Sequence, residues 1–150
     1  MSSPLALSSN TQVQRVINAT AAGTTAITGT AIDMQGFDRL SIIALFGTLT
    51  ATAVTGIKLQ QSDDDGSTDT YDDLAGSALS IPDTDSNKVL HADLIRPTKR
   101  YVKVVVTRGT ANAVIDGVVV IKHGAMKAPV AKHSTVSGTE INNAPAEGTA

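Results

Sequence analysis

Apolar and polar residues alternate in short runs along this chain, and the clearest run is Arg100–Ile121. It predicts two β-strands joined by a hairpin loop. Val, Ile, Thr and Tyr dominate, and branching at Cβ suits a pleated, half-buried surface. Val102, Val104 and Val106 fall on one face of the first strand, with Tyr101, Lys103 and Thr107 on the other. In the second strand Ile115, Val119 and Ile121 group together, opposite Asp116 and Lys122. Gly109 and Asn112 supply the backbone freedom for the reversal, and Asp116-Gly117 is read as a bulge. Each inward Val or Ile contributes roughly 1.5–3 kcal/mol on full burial, so this hairpin is the expected centre of the core.

The same period places other strands around it. Gln12–Asn18 predicts a short edge strand, and Thr25–Ile32 a weak one before a turn at Asp33–Asp38. Arg39–Phe46 is apolar on both faces, which predicts a strand covered on two sides. Val54–Ser62 alternates, with Ile57 and Leu59 inward and Lys58 and Gln60 outward. A weak strand near Leu79–Ile81 and a turn at Pro82–Asn87 follow. Lys88–Leu94 puts Leu90, Ala92 and Leu94 on one face, and Arg96-Pro97 ends it. Apolar residues nowhere keep helical spacing for two turns, so the fold class is all-β: an antiparallel β-sandwich, jelly-roll-like, with extended N- and C-terminal arms. Residues 1–11 read as a Ser-rich flexible arm, 12–124 as the sandwich, and 125–150, thin in apolar residues, as an extended arm.

Composition narrows the chemistry. The 150 residues include no cysteine, which excludes disulfides and thiolate metal sites. A net charge of -2 does not attract phosphate backbones or anionic membranes, and no apolar run reaches the ~18 residues of a membrane span. Aromatics make up only 3%, too few for the stacking platforms of single-stranded nucleic-acid and many glycan readers. The first residues carry no basic stretch ahead of an apolar one and do not read as a secretory signal. His91, His123 and His133 are isolated, and no nucleophile elbow, metalloprotease motif or phosphate loop is present, so no enzymatic role and no cofactor are expected.

One cluster has possible chemistry. The stretch Asp63–Asp73 is strongly acidic, and Asp63, Asp65 and Gly66 with Asp72 match part of a calcium loop. Gln61 stands where such a loop has its first ligand, and strands flank the segment, so these are weak metal candidates. Like charges this dense repel one another, which favours a basic partner surface facing Asp63, Asp64, Asp65 and Asp69. Lys127 and Lys132 of a neighbouring copy's basic C-terminal arm are one source of that charge. Arg96, Lys99 and Arg100, at a strand end, are further contact candidates.

The succession Ile57-Lys-Leu-Gln-Gln-Ser-Asp-Asp-Asp-Gly-Ser-Thr, then Asn87-Lys-Val-Leu-His-Ala-Asp-Leu, then Lys99-Arg-Tyr-Val-Lys-Val-Val-Val-Thr-Arg-Gly-Thr-Ala resembles small tailed-phage head proteins. That group comprises capsid decoration, cement or minor capsid proteins. The likeness spans about Leu40–Ile121, and Asp69 stands where the family commonly has an aromatic, with Tyr71 nearby. It implies a β-sandwich made in the host bacterial cytoplasm and carried on the outside of the virion. It further implies a homo-oligomer, a trimer by the family's habit, that ties neighbouring major capsid proteins together through its arms. The alternatives are another virion part, of the tail or head completion, and a calcium- or glycan-binding sandwich.

Overall fold

The computed structural model describes residues 6–144 and 146–149. Residues 1–5 of the expected N-terminal arm, and Pro145 and Ala150 of the C-terminal one, lie outside the described residues. A helical turn, α1 (Leu7–Asn10), leads into the strands: β1 (Gln12–Ile17), β2 (Thr20–Gly23), β3 (Ile27–Thr28), β4 (Ile32–Asp33), β5 (Phe37–Leu49), β6 (Val54–Ser62), β7 (Asp72–Asp73), β8 (Leu79–Ile81), β9 (Val89–Ile95), β10 (Tyr101–Gly109) and β11 (Ala113–Ala125).

They form two antiparallel sheets. One has the order β1-β11-β5-β9, with β2 continuing beside β11 where β1 leaves off. The other has the order β3-β10-β6-β7, with β4 also on β10 and β8 also on β6. Counting β1–β2, β3–β4 and β7–β8 as interrupted single strands, every link but the one from β6 to β7 crosses between sheets. That interleaving is the jelly-roll arrangement of two Greek keys. The expected all-β sandwich is therefore the observed fold. Between the sheets Leu40, Ile42, Phe46, Ile57, Val102, Val104, Val106, Ile115, Val118 and Val120 are fully or almost fully buried. Gly56 permits a close approach at one rim, because a Cβ there would stand 2.5 Å from the Leu79 carbonyl oxygen of β8.

Three local expectations need correction. In β11 the buried set is Ile115, Val118 and Val120, not Ile115, Val119 and Ile121. The bulge between Ile115 and Gly117, with Gly117 at φ 146°, adds one residue and so exchanges the two faces beyond it. That slip also turns Lys122 into the rim of the core. There its Nζ donates to the Asp33 carbonyl (3.0 Å) and sits 5.0 Å over the Phe37 ring, and desolvation pushes its pKa down. The expected hairpin is not formed: β10 pairs with β3, β4 and β6 and β11 with β1, β2 and β5, so the link between them crosses from one sheet to the other, with Thr110 rather than Gly109 in the left-handed conformation (φ 65°). In β5 only one face is fully covered: Leu40, Ile42, Ala44 and Phe46 are buried, while Leu45 is 37% exposed on the outer face.

Candidate functional site

The acidic loop leaves the end of β6, and its organiser is Ser62, whose side chain is fully buried. Ser62 Oγ donates to the Asp69 carbonyl (2.5 Å) and accepts the N–H of Gly66 (2.9 Å) and of Asp64 (3.3 Å). The Asp64 carboxylate accepts the N–H groups of Thr68 (2.8 Å) and Asp69 (3.0 Å). Asp65 and Gly66 turn the chain at φ 63° and 82°. These are the local side-chain-to-backbone bonds that Asp and Ser favour in tight turns.

Cations of the same chain neutralise the loop. Lys99 Nζ lies 2.6 Å from Asp69 Oδ2, which also accepts the Asp63 N–H at 2.7 Å. Lys58 (2.7 Å) and Gln60 (2.7 Å) both donate to Asp73. Tyr71 donates its O–H to Asp65 (2.6 Å), and Lys103 Nζ stands 4.1 Å over the Tyr71 ring. The Lys99 ammonium holds Asp69 below the usual carboxylate range, and Lys58 does the same to Asp73. For Asp64, partial desolvation works upward, but the donated backbone N–H groups outweigh it and its pKa is lowered. Burial, and the bond to Asp65, push the Tyr71 phenol up.

The structure thus brings Asp63, Asp64, Asp69 and Lys99 into one network, with Asp65 held beside it by Tyr71. Arg100 lies beside it but grips Asp33 of β4 through two bonds of 2.9 and 2.8 Å. Arg96, at φ 52°, closes the end of β9 with its N–H on the Asp38 carbonyl (2.7 Å). Among the described residues no group of three or more His, Cys, Asp or Glu is arranged to hold a metal ion, so Asp63, Asp65 and Asp72 are not gathered into a calcium site.

Lys127 and Lys132 lie in the C-terminal segment, which follows the other sheet. Val130 N–H donates to the Ser9 carbonyl (2.9 Å), Gln12 Nε2 to the Ala131 carbonyl (2.9 Å), and Arg15 N–H to Thr135 Oγ1 (3.0 Å). This segment therefore covers the outer edge of β1. Lys132 Nζ turns back to the Val136 carbonyl (3.0 Å). Two organising residues carry no signal in the sequence. Ser62 is one. Arg108 is the other, and its guanidinium, at the end of β10, binds the carbonyls of Thr25 (2.7 Å), Ala21 (3.0 Å) and Ala113 (2.9 Å), tying β2, the link from β2 to β3 and the start of β11 together.

What the fold and this loop define is an antiparallel jelly-roll sandwich with a self-bonded acidic turn. No family model matches the chain, and no curated protein matches it in sequence. Among solved structures it is similar to the CBM22-1 xylan-binding domain of Paenibacillus barcinonensis Xyn10C: 14% identity over 75% of this chain and 83% of that one, TM-score 0.43. It is also similar to dimeric latent PorU from Porphyromonas gingivalis, of which it spans 14%: 5% identity over 87% of this chain, TM-score 0.45. A third likeness is to the infectious bursal disease virus VP2 subviral particle: 16% identity over 76% of this chain and 33% of that one, TM-score 0.36. At such identities and scores these are likenesses only, and no ligand or partner follows from them.

Proposed function

We propose that the protein is a structural, non-enzymatic component of a tailed-phage head, a decoration or cement protein. In this reading it binds the outside of the shell and ties neighbouring major capsid proteins together as a homo-oligomer. The observation that carries this reading is the fate of its most reactive-looking cluster. Asp64, Asp65, Asp69 and Asp73 are bonded to the loop's own backbone, to Tyr71, and to Lys99 and Lys58. Such a loop is a stiff, shaped protrusion rather than a site for turnover.

Two features agree with an adhesive role. Large apolar side chains face solvent on the sandwich, Val89 at 48% and Ile95 at 62% among them, and Met126 at 80% opens the C-terminal segment. The resemblance of Leu40–Ile121 to phage cement proteins supplies the partner class. Many copies on one shell give avidity, so individually weak contacts suffice. The acidic protrusion, Arg96 and the two arms are the contact candidates.

The test is a count of copies per purified particle together with a map that locates them. Hundreds of copies on the outer surface are expected. A few copies at a vertex or in the tail would replace this reading with that of a tail or head-completion part. Particles lacking the protein would end it.

A further inference from the structure

We infer that β9 pairs with β9 of a second copy, antiparallel and about a two-fold axis through Ala92, so that the two sandwiches share a continuous sheet. The inference does not depend on the phage-head reading, since it concerns the free protein.

Four observations carry it. First, β9 is the long open edge of the molecule. The other edges among the described residues are strands of two to four residues, or β1, which the C-terminal segment covers. Second, its outward groups are fixed. Phe46 N–H bonds the Lys88 carbonyl (3.1 Å) and Arg96 N–H bonds the Asp38 carbonyl (2.7 Å), so these even-numbered residues face β5. The register from Arg39↔Ile95 to Leu45↔Val89 has no shift. By alternation Val89, His91, Asp93 and Ile95 turn their N–H and C=O groups to the open side. Third, the strand lacks the usual guards of an exposed edge: it contains neither Lys nor Pro, and Val89 and Ile95 are largely exposed.

Fourth, the sequence is complementary to itself. Val89-Leu-His-Ala-Asp-Leu-Ile95, paired antiparallel about Ala92, sets His91 opposite Asp93 of the second copy, and Asp93 opposite its His91. Val89 then meets Ile95, and Leu90 meets Leu94. A shift of the axis to His91 sets His against His, and a shift to Asp93 sets Asp against Asp. Only the central register pairs unlike charges and like apolar residues while using every outward backbone group. His91 and Asp93 are available for it, with side chains 61% and 55% exposed. Within one chain they lie 3.6 Å apart, and Asp93 also accepts a bond from Ser41 Oγ, which fixes its position. On the inner side, a cleft between the sheets is lined by Leu59, Leu74, Leu79, Ala92 and Leu94. Leu90 of the second copy would stand beside Leu94 at its mouth.

This two-fold contact is distinct from the three-fold one that the phage resemblance implies, and mass in solution separates them. Sedimentation equilibrium on the full chain is expected to give a dimer. His91→Pro removes one outward N–H without touching the β5 ladder, and should give a folded monomer. His91→Asp should weaken pairing by about tenfold or more, since two symmetry-related pairs become repulsive. Adding Asp93→His to it restores opposite charges and should recover most of the affinity, an outcome a misfolded variant cannot mimic. A monomeric wild-type chain, or a dimer or trimer indifferent to all three variants, would overturn the inference.

Discussion

The two edges of the β1-β11-β5-β9 sheet meet solvent in opposite ways. At β1 the chain supplies its own cover: Ser9, Gln12 and Arg15 bond Val130, Ala131 and Thr135 of the C-terminal segment. At β9 nothing in the described residues pairs with the side turned away from β5, and its outward apolar residues Val89 and Ile95 are exposed. A free ladder edge is a template for another chain. One edge is therefore closed from within and the other left self-complementary, which limits growth to pairs. Closing both edges would give a monomer, and opening both would let each molecule join a neighbour on either side of its sheet and grow into filaments.

The largest expected effect comes from breaking that asymmetry. Deleting residues 126–150 should leave the sandwich folded, since its buried core lies within residues 16–120. It should also uncover the outward N–H of Arg15 and the apolar ground around Leu7 and Ile121. Light scattering should then report particles that grow with concentration, against a fixed small mass for the full chain. A truncated protein of unchanged association state would mean the segment is no cover.

Ile95→Lys is the complementary change. Ile95 is 62% exposed, so fold stability should move by no more than about 0.5 kcal/mol. The new charge would sit opposite Val89 of a second copy and guard the edge as lysines commonly do. Dimerisation should weaken several-fold in the full chain. In the truncated chain the same change should stop growth at pairs formed through β1. Continued growth would show that β9 takes no part.

The contrast between the edges also shows what a sequence discloses. The sandwich was legible because Val102, Val104 and Val106, and Ile57 and Leu59, keep period two, and a buried face enforces it. The faces of β11 were not, although its bulge was foreseen: one inserted residue at Asp116-Gly117 reverses every assignment after it. The acidic loop is visible in the sequence as a cluster, but its balancing cations are not. Lys99 lies 30 positions from Asp69, and only the strand pairing of β6 with β10 brings them together. Ser62 and Arg108 show no local pattern, because their acceptors are chosen by the tertiary fold. The symmetry of Val89–Ile95 is plain in the letters, yet it acquires meaning only once β9 is known to be an edge.

A smaller effect is expected at the covered edge. Thr135→Val keeps the shape of the C-terminal segment but deletes the acceptor for Arg15 N–H. Docking of the segment should weaken by about 0.5–1.5 kcal/mol, the usual net worth of one such bond. Faster hydrogen exchange at Arg15, with unchanged exchange in β5, would register it. Equal loss of protection in both strands would instead mean that the segment and the core unfold as one unit.

The mildest perturbation is acid, and its sign follows from His133. Burial, and then the nearby Lys122 charge, lower the imidazole pKa below its ordinary value of about 6.5. Its Nδ1 accepts the Thr135 N–H (3.2 Å) and lies 2.9 Å from the Thr135 hydroxyl, the group that holds Arg15 N–H. A protonated Nδ1 can accept neither. An undocked segment has an ordinary histidine and so binds more protons than a docked one between the two pKa values. The His133 contribution to docking is thus complete above about pH 6.5 and declines as pH falls to and through the lowered value. Lowering pH from about 7.5 to about 5.5 should therefore cut the protection of the Arg15 amide, after correction for intrinsic exchange, while β5 amides hold theirs. In a His133→Gln variant that pH dependence should flatten. If it persisted there, His133 would not be its source, and neither would the loop carboxylates Asp64, Asp69 and Asp73. Their lowered pKa values place their own loss of stabilisation below about pH 4, outside this window.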